Sequence, residues 1–191
     1  MTATEQYLPG IRIFLRGLQR EDLEFYRRWL DDPRVTEFLE MGVRPTRDKD
    51  IEAFWKLAND TEDAVVFAIA DKKTKKTVGV CGLYLIQWIC RRAQFNILIG
   101  ELSAWDKGFG TEAADLLLDY AFGKLNLNSV QLGVNAENKR AVRSYEKVGF
   151  AREGVRRQFI YRNNRYYDMA MMSVLRDDYP PARKNAAKKQ K

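Results

Sequence analysis

Histidine is absent from this chain of 191 residues, and its absence excludes several kinds of catalytic site. Ser-His-Asp and Cys-His nucleophilic systems, HExxH zinc sites and histidine general bases all require an imidazole. If the protein is an enzyme, proton transfer must therefore depend on tyrosine, carboxylates, lysine or ordered water.

Cysteine is scarce and long apolar runs are missing. The two cysteines, Cys81 and Cys90, match no metal-ligand spacing, so we expect buried, reduced thiols and no metal site. No apolar run approaches the roughly 20 residues that span a bilayer, and the start MTATEQYLPG lacks the apolar core of a signal peptide. These features predict a cytoplasmic protein without a membrane partner.

Length and composition favour one domain with a substantial core. Hydrophobic residues make up 46% of the sequence, which is too many for a globally disordered chain. We place the domain at residues 9–178 and predict that the basic segment 179–191 is a disordered tail. The formal net charge is +7, and part of it lies in this tail, which could contact an acidic surface such as ribosomal RNA. No nucleic-acid motif accompanies the tail, so we otherwise expect no nucleic-acid partner.

Hydrophobic periodicity predicts consecutive strands first and a strand–helix–strand unit later. Strands are expected up to residue 99, with helices at 21–30 and 47–57. The strand at 93–99 is then followed by a helix at 109–124, a strand at 129–134, a helix at 140–148 and two final strands. Consecutive strands pair antiparallel, whereas a strand–helix–strand unit joins parallel strands by a right-handed crossover. The pattern therefore predicts a mixed α/β sheet.

The loop before the helix at 109–124 carries closely spaced glycines. Its sequence from Trp105 to Thr111 is WDKGFGT. A helix start presents unpaired N–H groups and the positive end of the helix dipole, which suit a phosphate, and the glycines allow a ligand to approach the backbone. The same spacing is compatible with a plain turn before a helix, so the loop alone leaves both interpretations open.

Two other phosphate-binding patterns fit this loop poorly. Gly108-x-Gly110-x-x-Ala113 satisfies the dinucleotide fingerprint, but the segment from Gly100 to Lys107 separates these glycines from the strand that they should follow directly. A P-loop requires Gly-Lys-Ser/Thr at a spacing that is missing here. Nicotinamide and nucleoside triphosphate cofactors are therefore disfavoured.

A second motif, NKRAVRSYEKVGF at residues 138–150, follows the next strand. The order of strand, glycine loop, helix, strand and this motif resembles the GNAT acetyltransferase superfamily over roughly residues 11–175. The segments 91–97 and 164–168 are similar to the branch that contains ribosomal-protein N-terminal acetyltransferases and spermidine acetyltransferases. The resemblance implies a mixed, mostly antiparallel sheet of seven strands with about four helices, in which a splayed parallel strand pair binds the cofactor.

The resemblance also implies acetyl-CoA as the acetyl donor, with direct attack by an amine and no metal. The strand would bind the pantetheine arm through its main chain, the loop would hold the pyrophosphate, and two asparagines would lie near the thiol. The implied cofactor-binding residues are Ile97, Leu98, Ile99, Trp105, Asp106, Lys107, Gly108, Phe109, Gly110, Thr111, Asn135, Asn138 and Tyr145. Trp105 departs from the Gln or Arg usual at the first loop position, which puts a side-chain contact there in doubt.

Tyr145 occupies the position of the family's catalytic tyrosine. A phenol of pKa about 10 can donate to the sulfur of a departing thiolate, whose parent thiol has a pKa near 8.5. The general base stays unassigned, because Gln94 stands where relatives often carry a glutamate. Glu37, Glu40 and Glu101 are candidates, and so is a water held by Asn135.

The acceptor is expected between the two N-terminal helices and the late hairpin around residues 161–167. If they face the acceptor, four arginines of that hairpin disfavour a polyamine and favour a protein N-terminus or an anionic small amine: Arg156, Arg157, Arg162 and Arg165. The same residues are compatible with ordinary solvent-exposed hairpin charges, so both interpretations stay open. A non-catalytic CoA- or RNA-binding domain of the same fold is the alternative hypothesis, and a dinucleotide-dependent oxidoreductase is a third. A homodimer is compatible with the sequence.

Overall fold

A single mixed sheet runs through the protein, and the computed structural model describes it over residues 6–179. The spatial order of the strands is β1-β2-β3-β4-β5-β6-β8-β7. All neighbours are antiparallel except β5 and β6, which are parallel. The strands are β1 Leu8–Pro9, β2 Ile13–Gly17, β3 Val65–Asp71, β4 Thr77–Gln87, β5 Arg92–Ile99, β6 Ser129–Asn135, β7 Ala151–Arg162 and β8 Arg165–Leu175.

Five α-helices pack against this sheet, and local sequence sets their ends. They are α1 Asp22–Asp31, α2 Pro33–Thr36, α3 Asp48–Asn59, α4 Phe109–Gly123 and α5 Lys139–Val148. The Asp50 carboxylate accepts the Arg47 N–H at 3.1 Å and so caps the start of α3. Gly149, with φ +113°, ends α5 in the left-handed region that favours glycine.

The helices divide between the two faces of the sheet and create two apolar cores. On one face α1 and α3 bury side chains such as Trp29 and Ile51 against Val80 and Leu98. On the other face α4 and α5 bury side chains such as Leu117 against β5 and β6. Because β5 and β6 are joined through α4, the helix N-terminus lies at the end of the sheet where both strands finish.

The predicted mixed, mostly antiparallel α/β fold is confirmed, with two differences in element count. The sheet has eight strands where seven were expected, because the two-residue strand Leu8–Pro9 pairs with β2. Five helices replace about four, because Pro33–Thr36 forms one helical turn after α1. Such short elements carry too little periodicity to be recognised in a sequence.

The cysteines differ from the expectation of two buried thiols. Cys81 is buried within β4, but Cys90 is exposed in the turn between β4 and β5. The predicted tail lies outside the described residues except for Tyr179, which is buried and donates a hydrogen bond to Asp115 Oδ1 at 2.9 Å. Over residues 6–179, no helix is long and apolar enough to cross a membrane.

Candidate functional site

A cleft opens where the parallel strands β5 and β6 separate. The two strands pair only at Arg92–Ser129, Ala93–Val130 and Gln94–Gln131, although both continue for several residues beyond. Past Gln94 the edge of β5 faces a cleft of about 1300 Å³. The gap between the strands is therefore part of this cleft.

The exposed edge of β5 presents main-chain polar groups to this gap. Gly100 donates its N–H to the Val78 carbonyl on β4 at 3.0 Å. In an antiparallel ladder, residues bonded to the neighbour alternate with residues whose polar groups point away from it. The N–H and C=O groups of Ile97 and Ile99 therefore point into the gap, whereas those of Leu98, paired with Val80, face β4. A ligand that lies along β5 can bond to this edge as an added strand would.

The N-terminus of α4 forms the adjoining part of the cleft. Its first main-chain hydrogen bond runs from Glu112 N–H to the Gly108 carbonyl at 3.1 Å. The N–H groups of Phe109, Gly110 and Thr111 therefore point out of the helix end without an intrahelical acceptor. Together with the helix dipole they favour an anion at this place.

Arg12 on the approach to β2 fixes the loop that leads into α4. Its guanidinium donates to the Lys107 carbonyl at 2.7 Å and to the Gly108 carbonyl at 3.4 Å, and its Nε donates to Glu112 Oε2 at 2.8 Å. Because the loop carbonyls are directed to Arg12, the N–H groups are left for the cleft. No sequence signal pointed to this contact, which spans 95 residues of chain.

The two glycines of the loop have different roles. Gly108 has φ +75°, and a Cβ there would lie 2.7 Å from the Arg12 guanidinium, so the fold itself requires glycine. At Gly110 an added Cβ would meet nothing nearer than Ile99 Cγ1 at 3.7 Å. The folded chain could hold a side chain at residue 110, and the free space above it lies beside the unpaired N–H groups. The loop thus fits a pyrophosphate that approaches the backbone at Gly110.

Trp105 forms a contact that differs from the family pattern. Its Nε1 donates to the Ile99 carbonyl at 2.8 Å, so that carbonyl is engaged by the protein, while the Ile97 main chain stays available. The Arg140 guanidinium lies 4.0 Å from the Trp105 ring centroid and 3.8 Å from Asp106. Thr111 and Ser144 share a hydrogen bond of 2.7 Å, which joins the starts of α4 and α5. Lys107 is exposed and does not line the cleft.

Tyr145 lies on α5 with its ring in an aromatic cluster. The ring centroid is 5.9 Å from that of Phe95 and 5.8 Å from that of Phe150, both in edge-on arrangements. The hydroxyl has no hydrogen-bond partner among residues 6–179, and the residue lines the cleft. Burial raises the pKa of Tyr145 to about 12, so the phenol stays protonated at neutral pH.

The two predicted asparagines lie at the far end of β6, and each uses its side-chain oxygen locally. Asn135 Oδ1 accepts the Glu137 N–H at 2.9 Å, and Asn138 Oδ1 accepts the Ala141 N–H at 3.0 Å and so caps α5. Both residues line the cleft. Their Nδ2 groups have no partner within the described residues and can donate to a ligand.

The part of the cleft opposite the glycine loop is lined by α1, α3 and the segment that joins α2 to α3. Apolar groups such as Leu30, Phe38 and Phe54 cover much of it. Burial raises the pKa of Tyr26, which also lines this part, to about 12, so it stays neutral. The carboxylates on the cleft are Glu37, Glu40, Asp50, Asp106 and Glu137.

Only two of these carboxylates lack an ion-pair partner in the described part of the chain. Asp50 pairs with Arg47 at 2.7 Å, Glu137 with Arg165 at 2.6 Å and Asp106 with Arg140 at 3.8 Å. Glu37 and Glu40 are exposed and have no such contact. Glu101, the third candidate base, bonds to Arg28 and Trp29 and does not line the cleft.

The hairpin arginines lie elsewhere than the sequence argument assumed. None of Arg156, Arg157, Arg162 and Arg165 lines the cleft. Arg165 is paired with Glu137, and Arg162 donates to main-chain carbonyls of the segment between α2 and α3. The side chains of these four arginines therefore do not line the cleft, and the sequence does not show which way the hairpin side chains point. In residues 6–179 no cluster of His, Cys, Asp or Glu could hold a metal ion.

Comparisons with known proteins show which chains this one is similar to. The model of the acetyltransferase (GNAT) domain family matches residues 12–151. A spermidine N(1)-acetyltransferase of Vibrio cholerae serotype O1 is 31% identical over 168 residues, which cover 88% of this chain and 95% of that protein. An uncharacterized N-acetyltransferase, p20, of Bacillus licheniformis is 31% identical over 172 residues, which cover 88% and 95%. The crystal structure of spermidine N-acetyltransferase from Vibrio cholerae in complex with CoA and spermine is similar with a TM-score of 0.80 and 30% identity, covering 88% of this chain and 98% of that one.

Proposed function

We infer the function of this chain from the premise that it belongs to the GNAT acetyltransferase family and is an acetyl-CoA-dependent N-acetyltransferase acting on a small amine. The resemblance and the acetyl donor predicted from the sequence are thereby confirmed. We propose further that the acceptor is an aliphatic polyamine, bound by Glu37 and Glu40, and that Tyr145 assists departure of the thiolate.

We base the donor half of the site on polar groups that have no hydrogen-bond partner within residues 6–179. The N–H groups at Phe109 to Thr111 would bind the pyrophosphate, and the Ile97 main chain would bind the pantetheine arm. Bound acetyl-CoA supplies an activated thioester. Tyr145 would donate a hydrogen bond from its hydroxyl to the sulfur as the carbon–sulfur bond breaks, and its pKa of about 12 keeps the phenol protonated across the working pH range.

The acceptor half is supported by one observation above all: among the residues that the structure describes, Glu37 and Glu40 are the carboxylates on the cleft without an ion-pair partner. A polyamine carries several ammonium groups joined by methylene chains. Two exposed carboxylates beside an apolar wall suit that combination, since each part of the ligand meets a matching surface. The nitrogen that attacks must be neutral, and the same carboxylates are the candidates to accept its proton, directly or through water.

A panel of acceptors tests this proposal. CoA release is measured at saturating acetyl-CoA with spermidine, spermine, butylamine and a short peptide with a free N-terminus. We expect kcat/KM to be highest for the polyamines. In the Glu37→Gln, Glu40→Gln double variant, kcat/KM for spermidine should fall about tenfold, whereas that for butylamine should change about twofold. Glu62→Gln, an exposed carboxylate away from the cleft, is the matched control.

The proposal fails if the peptide is the best acceptor or if the double variant acetylates spermidine as fast as the wild type. The first outcome would favour a protein N-terminus, which was one of the acceptors that the sequence favoured. A cytoplasmic location, a homodimer and ribosome contact through residues 179–191 stay predictions.

A further inference from the structure

The segment between α2 and α3, residues 37–47, supplies much of the acceptor side of the cleft without forming a helix or strand. Five consecutive residues of it line the cleft, from Glu37 to Met41. Irregular segments of this length are held by side-chain contacts instead of by ladders or helical hydrogen bonds. The position of Glu37 and Glu40 therefore depends on what fixes this segment.

The guanidinium of Arg162, which is distant in sequence, holds this segment in place. Arg162 Nη1 donates to the Leu39 carbonyl at 3.1 Å and to the Met41 carbonyl at 2.5 Å. Its Nη2 donates to Thr36 Oγ1 at 3.0 Å and to the Gly42 carbonyl at 3.3 Å. These contacts join residues 120 to 126 positions apart. The planar fork of arginine suits several acceptors at once, which the single ammonium of lysine cannot match.

The hairpin of β7 and β8 presents this arginine rigidly. Arg162 pairs with Arg165 across a two-residue turn at Asn163 and Asn164, whose φ angles are +50° and +58°. Positive φ at both central residues is the geometry of a tight hairpin turn. Since β8 pairs with β6, the strand that carries Asn135, Arg162 links the acceptor segment to the sheet that forms the donor site.

The segment also folds tightly back on α2. Gly42 has φ +76°, and a Cβ there would lie 2.6 Å from Thr36, whose side chain is fully buried. Thr36 Oγ1 accepts from Arg162 in the same place. The close packing of Gly42 against Thr36 and the hydrogen bonds from the Arg162 guanidinium together fix the conformation of residues 36–42.

We propose that Arg162 is a positioning residue that holds Glu37 to Met41 in place as the acceptor-binding wall and so determines acceptor affinity. This inference rests on the proposed acceptor site but not on the acceptor being a polyamine. It makes an unusual electrostatic prediction. Loss of a positive charge near Glu37 and Glu40 would by itself tighten the binding of a cation. Loss of the positioning contacts should weaken that binding instead.

The test compares Arg162→Gln with Arg162→Lys and with Arg157→Gln. Arg157 lies on the same strand, is exposed and makes no contact with the cleft, so its variant removes an equal charge without touching the segment. The assay uses the amine from the panel that the wild type acetylates best, and it measures KM for the amine, KM for acetyl-CoA and Kd for CoA by calorimetry.

We expect KM for the amine to rise tenfold or more in Arg162→Gln and to stay within twofold in Arg157→Gln. Arg162→Lys should give an intermediate value, because an ammonium can keep some of the bonds. KM for acetyl-CoA and Kd for CoA should stay within twofold in all three, since the donor site does not involve residues 36–42.

Two results would overturn the inference. In one, KM for the amine changes less than twofold or falls, as charge removal alone would predict. In the other, Kd for CoA weakens in parallel with KM for the amine, as a general loss of structure would predict. If Arg162→Gln does not fold, Gly42→Ala disturbs the same segment from the other side and should give the same selective rise in KM for the amine. A failure of the polyamine proposal can be told apart from these results. The polyamine proposal depends on which amine the wild type prefers, whereas the inference on Arg162 depends on the ratio of KM for the amine between variant and wild type.

Discussion

Replacing Tyr145 with phenylalanine separates its packing from its chemistry. Phenylalanine keeps the ring that contacts Phe95 at 5.9 Å and Phe150 at 5.8 Å between centroids. Only the hydroxyl is lost, and in residues 6–179 it has no hydrogen-bond partner. We therefore expect Tyr145→Phe to change the free energy of unfolding by less than about 0.5 kcal/mol.

The effect on turnover should be much larger, because the hydroxyl would meet charge only as the carbon–sulfur bond breaks. A hydrogen bond to a charged group contributes about 1.5–3 kcal/mol. If that contribution belongs to the transition state, kcat should fall by about 10- to 150-fold. The Kd for acetyl-CoA should stay within about twofold, since the thioester sulfur is uncharged and accepts hydrogen bonds weakly.

Three measurements on the same preparation decide whether the Tyr145 hydroxyl assists the leaving group. They are kcat from CoA release, Kd for acetyl-CoA by calorimetry, and the unfolding midpoint in urea. A variant with wild-type stability and affinity but reduced kcat would support the acid role. If kcat stays within twofold of the wild type, Tyr145 does not assist the leaving group and serves only to pack the ring cluster. Ser144→Ala is a useful control, because it lies one residue away and removes a hydroxyl that bonds to Thr111.

Three further predictions concern the donor site, the pH profile and the thiols. Gly110→Asp should fold normally, because its Cβ has room and a carboxylate is favourable at a helix N-terminus. The variant should nevertheless raise Kd for acetyl-CoA at least tenfold, because the carboxylate repels the pyrophosphate. Unchanged affinity would contradict pyrophosphate binding at the N-terminus of α4. With a pKa of about 12, Tyr145 stays protonated over the usual assay range. We therefore expect kcat to rise with pH as the acceptor ammonium, of pKa near 10, loses its proton, and not to decline below about pH 11. A decline in kcat with an apparent pKa near 9 would contradict this. Ellman's reagent should label Cys90 in the native protein and Cys81 only after denaturation, because burial raises the pKa of Cys81 and excludes the reagent; rapid labelling of both would show that β4 is open.

Most of the donor half could be predicted from sequence because its parts are local. A strand, a glycine loop and a helix start are contiguous, so their order alone places N–H groups beside a strand edge. Tyr145 and Asn138 were named from the resemblance of residues 138–150 to the family motif, and their roles stay predictions. What local order could not supply was the contact from Arg12, which settles where the loop carbonyls point.

The acceptor half was harder to predict than the donor half because its groups come from distant parts of the chain. The arginines at residues 156–165 were taken as facing the site, whereas Arg165 pairs with Glu137 and Arg162 bonds to carbonyls 120 residues away. Glu37 and Glu40 were candidate bases in the sequence, where nothing distinguished them from Glu101. Unlike Asp50 and Glu137, they have no ion-pair partner within residues 6–179, and such partners are set by tertiary packing.

The sequence by itself therefore determined the family, the sheet with its one parallel pair, and the acetyl donor. These depend on short-range order, where hydrophobic period, glycine position and helix starts act within a few residues. Only the tertiary structure decided which charges face the cleft, because each arginine could pair with many carboxylates and the fold selects among them. Within residues 6–179 the carboxylates on the cleft that stay without an ion-pair partner are Glu37 and Glu40, and they can be recognised only when the other pairs of the fold are known.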